Sequence, residues 1–110
     1  MASHNHQVAI RSARKAVGDE SAIAAMSETF KVLGDPTRLK IVLALTKEEL
    51  CVLDLAELSG MSESAISHQL RLLKALRLVK QRKDGKMVFY TLNDEHIEDL
   101  VRVAARHSNE

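Results

Sequence analysis

Apolar residues recur at helical spacing through most of the chain. In "ESAIAAMSETFKVL", Ile23, Met26, Phe30 and Leu33 follow one another at steps of three and four, which predicts a helix with one apolar face. "LGDPTRLKIVLAL" then offers Gly34 for a helix end, Asp35 for an N-cap and Pro36 for a first helical position. One helix is therefore expected to end near Leu33 and another to start near Pro36. "VLDLAELSGMSESAISHQLRLLKAL" reads as a short helix, a tight turn at Ser59 and Gly60, and a longer helix, the order of a helix-turn-helix. The period then changes. "LVKQRKDGKMVFYTL" holds two β-prone runs joined by Asp84 and Gly85, a strong two-residue hairpin signal. A last helix is expected from about Asp94. Residues 1–9 are polar and are expected to be a flexible N-terminal arm, ahead of one domain over residues 10–110. The predicted fold is mostly α with a small β-hairpin: a winged helix-turn-helix.

Composition narrows this picture. A chain of 110 residues can bury one core but not two. Its only aromatics are Phe30, Phe89 and Tyr90, so that core must be aliphatic. Cys51 is the single cysteine, which excludes an intrachain disulfide and suits a reducing compartment. The longest apolar run, "IVLAL", is far short of a membrane span, and "MASHNHQVAIRS" has no apolar signal-peptide core. A cytoplasmic protein is expected.

The net charge of +1 does not by itself point to nucleic acid, but the distribution does. Lys74, Arg77, Lys80, Arg82, Lys83 and Lys86 face only Asp84 in their segment. With Ile66 set at zero on the longer helix, Leu70 and Leu73 fall at about 40° and 340°, on the core side. Ser67, Arg71, Ser64 and His68 fall opposite, between about 100° and 200°. They form one polar patch near the helix start, where a recognition helix meets base edges. Gln69, at about 300°, lies closer to the buried side. Arg82, Lys83 and Lys86 flank the expected turn and suit phosphate contacts. The plainer readings are a solvated helix face and a charged sheet edge.

The last helix carries a second pattern. His96 and His107 lie within about 20° of one face yet about 16 Å apart along the axis. One ion with bonds of about 2 Å cannot bridge them within a chain. Leu100 and Val103 lie between them and Glu110 follows, while Ile97, Val101 and Ala104 form a separate stripe suited to the helix's own domain. If two copies pair antiparallel through the first stripe, Asp94 and His96 of one face His107 and Glu110 of the other. Two equivalent sites result, in a dimer joined through its terminal helices. Asp94 would sit at the N-cap and bend inward. Two imidazoles and two carboxylates suit Zn²⁺ or Co²⁺, whereas Cd²⁺, a further candidate, favours thiolate. The plainer reading is the polar ends of an ordinary dimer helix.

From about residue 20 to residue 110 the chain resembles the ArsR/SmtB metal-sensing repressors, and is especially similar to the zinc-responsive branch. The likeness runs through "LGDPTRLKIVLAL", "ELCVLDLAE", "SESAISHQLRLLKALRLVK", the basic hairpin and the terminal Asp, His, His, Glu spacing. It implies a homodimer that binds an inverted-repeat operator when metal-free and releases it when Zn²⁺ binds. By the family pattern Asp94, His96, His107 and Glu110 are the regulatory ligands, and Ser64, Ser67, His68 and Gln69 belong to the recognition helix. The resemblance also implies a second site at Cys51 and Asp54, completed by the other subunit's N-terminal arm. Here that arm offers His4 and His6 in place of cysteine, which argues against a thiolate-rich cadmium or lead sensor. The plainer reading is a partly buried cysteine and a helix N-terminal aspartate.

Two rival readings make different demands. A zinc hydrolase needs an open metal position and a separate base, and the four-ligand pattern provides neither. A winged-helix regulator answering to Cys51 oxidation or to a protein partner needs no metal, and is the alternative to zinc control.

Overall fold

The computed structural model describes residues 5–110, which form two compact units divided after Lys31. The first holds α1, His6–Val17, and most of α2, Glu20–Leu33. Asn5 caps α1 by accepting the Val8 N–H at 3.1 Å, and Asp19 caps α2 by accepting the Ala22 N–H at 2.7 Å. Helix α1 thus begins at His6, inside the stretch expected to be an arm. The polar sequence there conceals an N-cap of the kind that asparagine favours.

The second unit, Val32–Glu110, contains the core. The junction near Gly34 falls where expected: α2 ends at Leu33 and α3 spans Pro36–Leu45, with Asp35 accepting the Arg38 N–H at 3.0 Å. The two-residue strand β1, Leu50–Cys51, leads into α4, Val52–Ser59. Gly60, at φ 69°, closes α4 in the left-handed region, where a Cβ would be strained. Ser62 caps α5, Glu63–Ala75. Strands β2, Val79–Asp84, and β3, Met87–Leu92, form the hairpin, and α6, Glu95–Ser108, follows.

Ile41, Val42, Leu55, Ile66, Leu70, Leu73, Leu78 and Val79 are the most deeply buried side chains, and no aromatic is among them. This is the aliphatic core that the composition requires. Val101 enters it from α6, with Ile97 and Leu100 packed against it.

The sheet departs from expectation twice. It has three antiparallel strands in the order β1-β3-β2, with Leu50 opposite Tyr90 and Cys51 opposite Phe89. A two-residue strand is too short to show alternation in sequence. The hairpin loop is also displaced by one residue. Asp84 pairs with Met87, so the loop is Gly85 and Lys86, with φ 62° at Gly85. A positive φ at the first loop position alone suits a glycine-first turn, not the Asp-Gly turn that needs two.

Candidate functional site

The sequence of α5 fixes which of its faces is free. Ile66, Leu70 and Leu73 are buried, so Ser64, Ser67, His68 and Arg71 occupy the outward side. Ser67 is half-buried and the other three are exposed. Among the described residues none of these four side chains has a hydrogen-bond partner within the chain. Their donors and acceptors are available to a ligand. Gln69 differs: it is half-buried and its Oε1 accepts from Arg38 Nη1 at 3.2 Å, while Arg38 Nε donates to the Val32 carbonyl at 2.9 Å. Its carbonyl is thus committed to a tie between α5, the start of α3 and the end of α2. Bidentate reading of adenine uses both ends of the amide, and one lone pair of the Gln69 carbonyl is already engaged by Arg38.

The three hairpin cations also separate. Lys83 and Lys86 are exposed beside the loop. Arg82 reaches across β3, its guanidinium 5.0 Å from the centre of the Phe89 ring, and Nε donates to Glu49 Oε2 at 2.8 Å. A second bond joins Arg82 Nη2 to Glu49 Oε1, and Asp84 lies 3.8 Å away. The hydrogen bonding from Arg82 holds the Glu49 carboxyl below its usual range, and the same bonding pushes the guanidinium upward. Arg82 therefore has to leave an acid before it can meet a phosphate. Glu49 stands thirty-three residues earlier, and no local pattern announces the pair.

On α6 the four predicted ligands form two pairs. Asp94 caps the helix, its Oδ1 accepting the His96 N–H at 2.9 Å and the Ile97 N–H at 3.3 Å. Loss of surrounding water raises its carboxyl, but bonds from the Ile97 N–H, the Asn93 amide and the His96 N–H, with the His96 charge, outweigh that and hold it low. His96 Nδ1 lies 3.5 Å from Asp94 Oδ1, and His107 Nδ1 lies 3.7 Å from Glu110 Oε2. Both imidazoles are 83% exposed, so a second chain can reach them. Two ligands of a tetrahedral ion with bonds of about 2 Å stand about 3.3 Å apart, so each pair has close to the spacing of two such ligands. Among the described residues no three ligand-type side chains converge within the chain. The donor set fits zinc as two halves, not as a whole site.

The apolar middle of this face is thinner than expected. Val103 is 58% exposed, but Leu100 packs against the core. On the other stripe Val101 is buried as expected, while Ala104 is exposed and borders a crevice with Leu39 and Leu43.

At the second expected site, Cys51 is buried at the N-cap of α4, and its N–H donates to Asp54 Oδ2 at 3.1 Å. His6 opens α1, in the other unit, and His4 lies outside the described residues. Within the second unit the structure brings Cys51 and Asp54 together.

Comparison with known proteins adds the wider frame. The family model for bacterial regulatory proteins of the arsR family matches residues 35–81. A cadmium resistance transcriptional regulatory protein CadC homolog from Staphylococcus aureus is 42% identical over 106 residues, which is 96% of this chain and 87% of that protein. The chain belongs to the arsR family. A transcriptional repressor SmtB homolog from Synechocystis sp. is 51% identical over 85 residues, 77% of this chain, although the match spans only 64% of that repressor's length. A homodimeric winged helix-turn-helix DNA-binding domain from Mycobacterium bovis matches all of this chain and 92% of its own, at 25% identity and a TM-score of 0.77. These arsR-family relatives are transcriptional regulators and not enzymes, which removes the zinc hydrolase. The family model itself stops at residue 81, before α6, whereas the Staphylococcus aureus relative is matched over 96% of this chain.

Proposed function

We propose that the chain is a zinc-responsive transcriptional repressor, a homodimer that binds an inverted-repeat operator in the cytoplasm when metal-free. The observation that carries this reading is the pairing on α6: Asp94 with His96 at one end, His107 with Glu110 at the other, each pair at ligand spacing and neither complete. Two antiparallel copies of α6 complete both sites. Zn²⁺ supplies a cross-link between the two subunits at each site. Exposed apolar side chains elsewhere favour association: α1 buries none of its residues, and Met26 and Phe30 of α2 are exposed.

In this reading Ser64, Ser67, His68 and Arg71 meet base edges, Lys83 and Lys86 meet phosphates, and Gln69 holds α5 in place through Arg38. Joining the terminal helices favours a dimer shape in which the two copies of α5 no longer match successive major grooves. Linkage then requires that operator DNA weaken metal binding by the factor by which metal weakens DNA binding. Cys51 and Asp54 are held for the structure of α4 in this reading. Co²⁺ suits the same set of two imidazoles and two carboxylates, and Cd²⁺, which favours thiolate, is the weaker match.

The test is operator binding measured with chelator and with Zn²⁺, repeated for His96→Ala and His107→Ala. Tight binding in chelator, release by zinc in the wild type, and retention by both variants are expected. A wild-type affinity indifferent to zinc but sensitive to Cys51 oxidation would transfer the reading to the redox alternative.

A further inference from the structure

Between α5 and the hairpin lies a cleft of about 210 Å³, lined by Ser67, Leu70, Arg71, Lys74, Gln81 and Tyr90. Leu70 is buried and forms an apolar floor. The other five contribute two cations, two hydroxyls and an amide, and no carboxylate lines the cleft. Among the described residues none of those five side chains has a hydrogen-bond or ion-pair partner within the chain. They come from three elements. Gln81 and Tyr90 are directly opposed across β2 and β3, while Ser67, Arg71 and Lys74 follow one another along α5.

A concave surface with two unneutralised cations and three neutral hydrogen-bonding groups is chemically matched to an oxyanion. Its position narrows the source. Ser67 and Arg71 also belong to the outward patch of α5, so an anion held here sits beside the residues facing the bases and before the hairpin cations. We infer that this cleft seats a phosphate of the DNA backbone, with Lys74, Gln81 and Tyr90 as contact residues beyond those legible in the sequence. The inference rests on the DNA-binding reading above. Lys74 neutralises the phosphate while Arg71 beside it remains turned to the bases, the Tyr90 hydroxyl and the Gln81 amide donate to the phosphate oxygens, and the seat fixes where α5 enters the groove.

The test uses the full chain with chelator, on a selected operator duplex and on a random duplex, across a series of salt concentrations. Each neutralised phosphate contributes about 0.9 to the slope of log K against log salt. Lys74→Gln should lower the slope by about 1.8 for a dimer with two seats, and weaken both duplexes by the same factor. Tyr90→Phe keeps the ring and removes only a neutral donor. It should weaken both duplexes by about tenfold per seat with the slope unchanged. A wild-type slope in Lys74→Gln, or a loss confined to the operator, overturns the seat. Competition by free inorganic phosphate beyond that of chloride at equal ionic strength overturns the assignment to DNA, because the cleft then takes a free oxyanion. If the wild type binds neither duplex, the DNA-binding reading falls as well. If the wild type binds and both variants match it, only the seat falls.

Discussion

Arg77 ends α5 with φ 60°, the one positive φ among the described non-glycine residues. Its N–H donates to the Lys74 carbonyl at 3.0 Å, and the Leu78 N–H donates to the Leu73 carbonyl at 2.9 Å. These bonds close the helix in the way that a glycine usually does. Holding a side chain in that region costs about 1–2 kcal/mol, part of which glycine returns through its greater freedom when unfolded. Arg77→Gly should therefore raise the unfolding free energy by about 0.5–1 kcal/mol in urea titrations. A loss of stability would mean that the Arg77 side chain has a structural role not evident from its surroundings. Asp94 caps α6 and is a ligand in the proposed zinc site, two roles that substitution separates. Asparagine caps helices as well as aspartate does but lacks the anionic oxygen. Asp94→Asn should keep the thermal midpoint and weaken zinc binding at least about tenfold, as loss of one ligand does. Asp94→Ala should do the same to zinc and also lower the midpoint by about 4–8 °C, the usual effect of losing a cap in a small domain.

The hairpin is the element whose behaviour depends most on a distant partner. Because Arg82 is tied to Glu49, the wing presents Lys83 and Lys86 freely and Arg82 only after an exchange of partners. Glu49→Gln should leave the fold intact and steepen the salt dependence of DNA binding, by up to about 0.9 per wing if the released Arg82 meets a phosphate. An unchanged slope would show that Arg82 stays over Phe89 without its acid. The pair also sets a pH dependence. The carboxyl of Glu49 is held low in the folded chain, so its contribution to stability is present above the unfolded value of about 4.3 and is lost as pH falls through the lowered folded value. Urea titrations of the wild type and Glu49→Gln should therefore converge in acid and separate above about pH 4.3. The elements legible in the sequence were those with a local signal: the Gly34, Asp35, Pro36 junction, the buried stripe of α5, and the cap of α6 with its buried Val101. What escaped was either short or non-local. Strand β1 has two residues, the start of α1 depends on one asparagine cap, and the turn residues follow from strand register, which Asp84 alone does not set. The α5–hairpin cleft and the Glu49 pair exist only once separate elements are packed together.

At the scale of the whole molecule the proposed zinc sites require two copies of the chain. The ligand pairs of α6 lie about 16 Å apart along the helix, so no rotation of side chains within one chain can unite them. A shared site predicts a specific form of complementation. A protomer lacking Asp94 and His96 retains His107 and Glu110, and a protomer lacking His107 and Glu110 retains the other pair. Each variant alone makes dimers in which every site has lost half its ligands. A mixed dimer has one site with all four ligands and one with none. The decisive measurement is the zinc stoichiometry of Asp94→Ala/His96→Ala, of His107→Ala/Glu110→Ala, and of the two refolded together and isolated as the mixed dimer. Inter-subunit sites predict no tight zinc in either variant alone and one tightly bound ion per mixed dimer. Failure of mixing to restore that ion, or wild-type zinc affinity in either variant alone, contradicts metal sharing across the terminal helices.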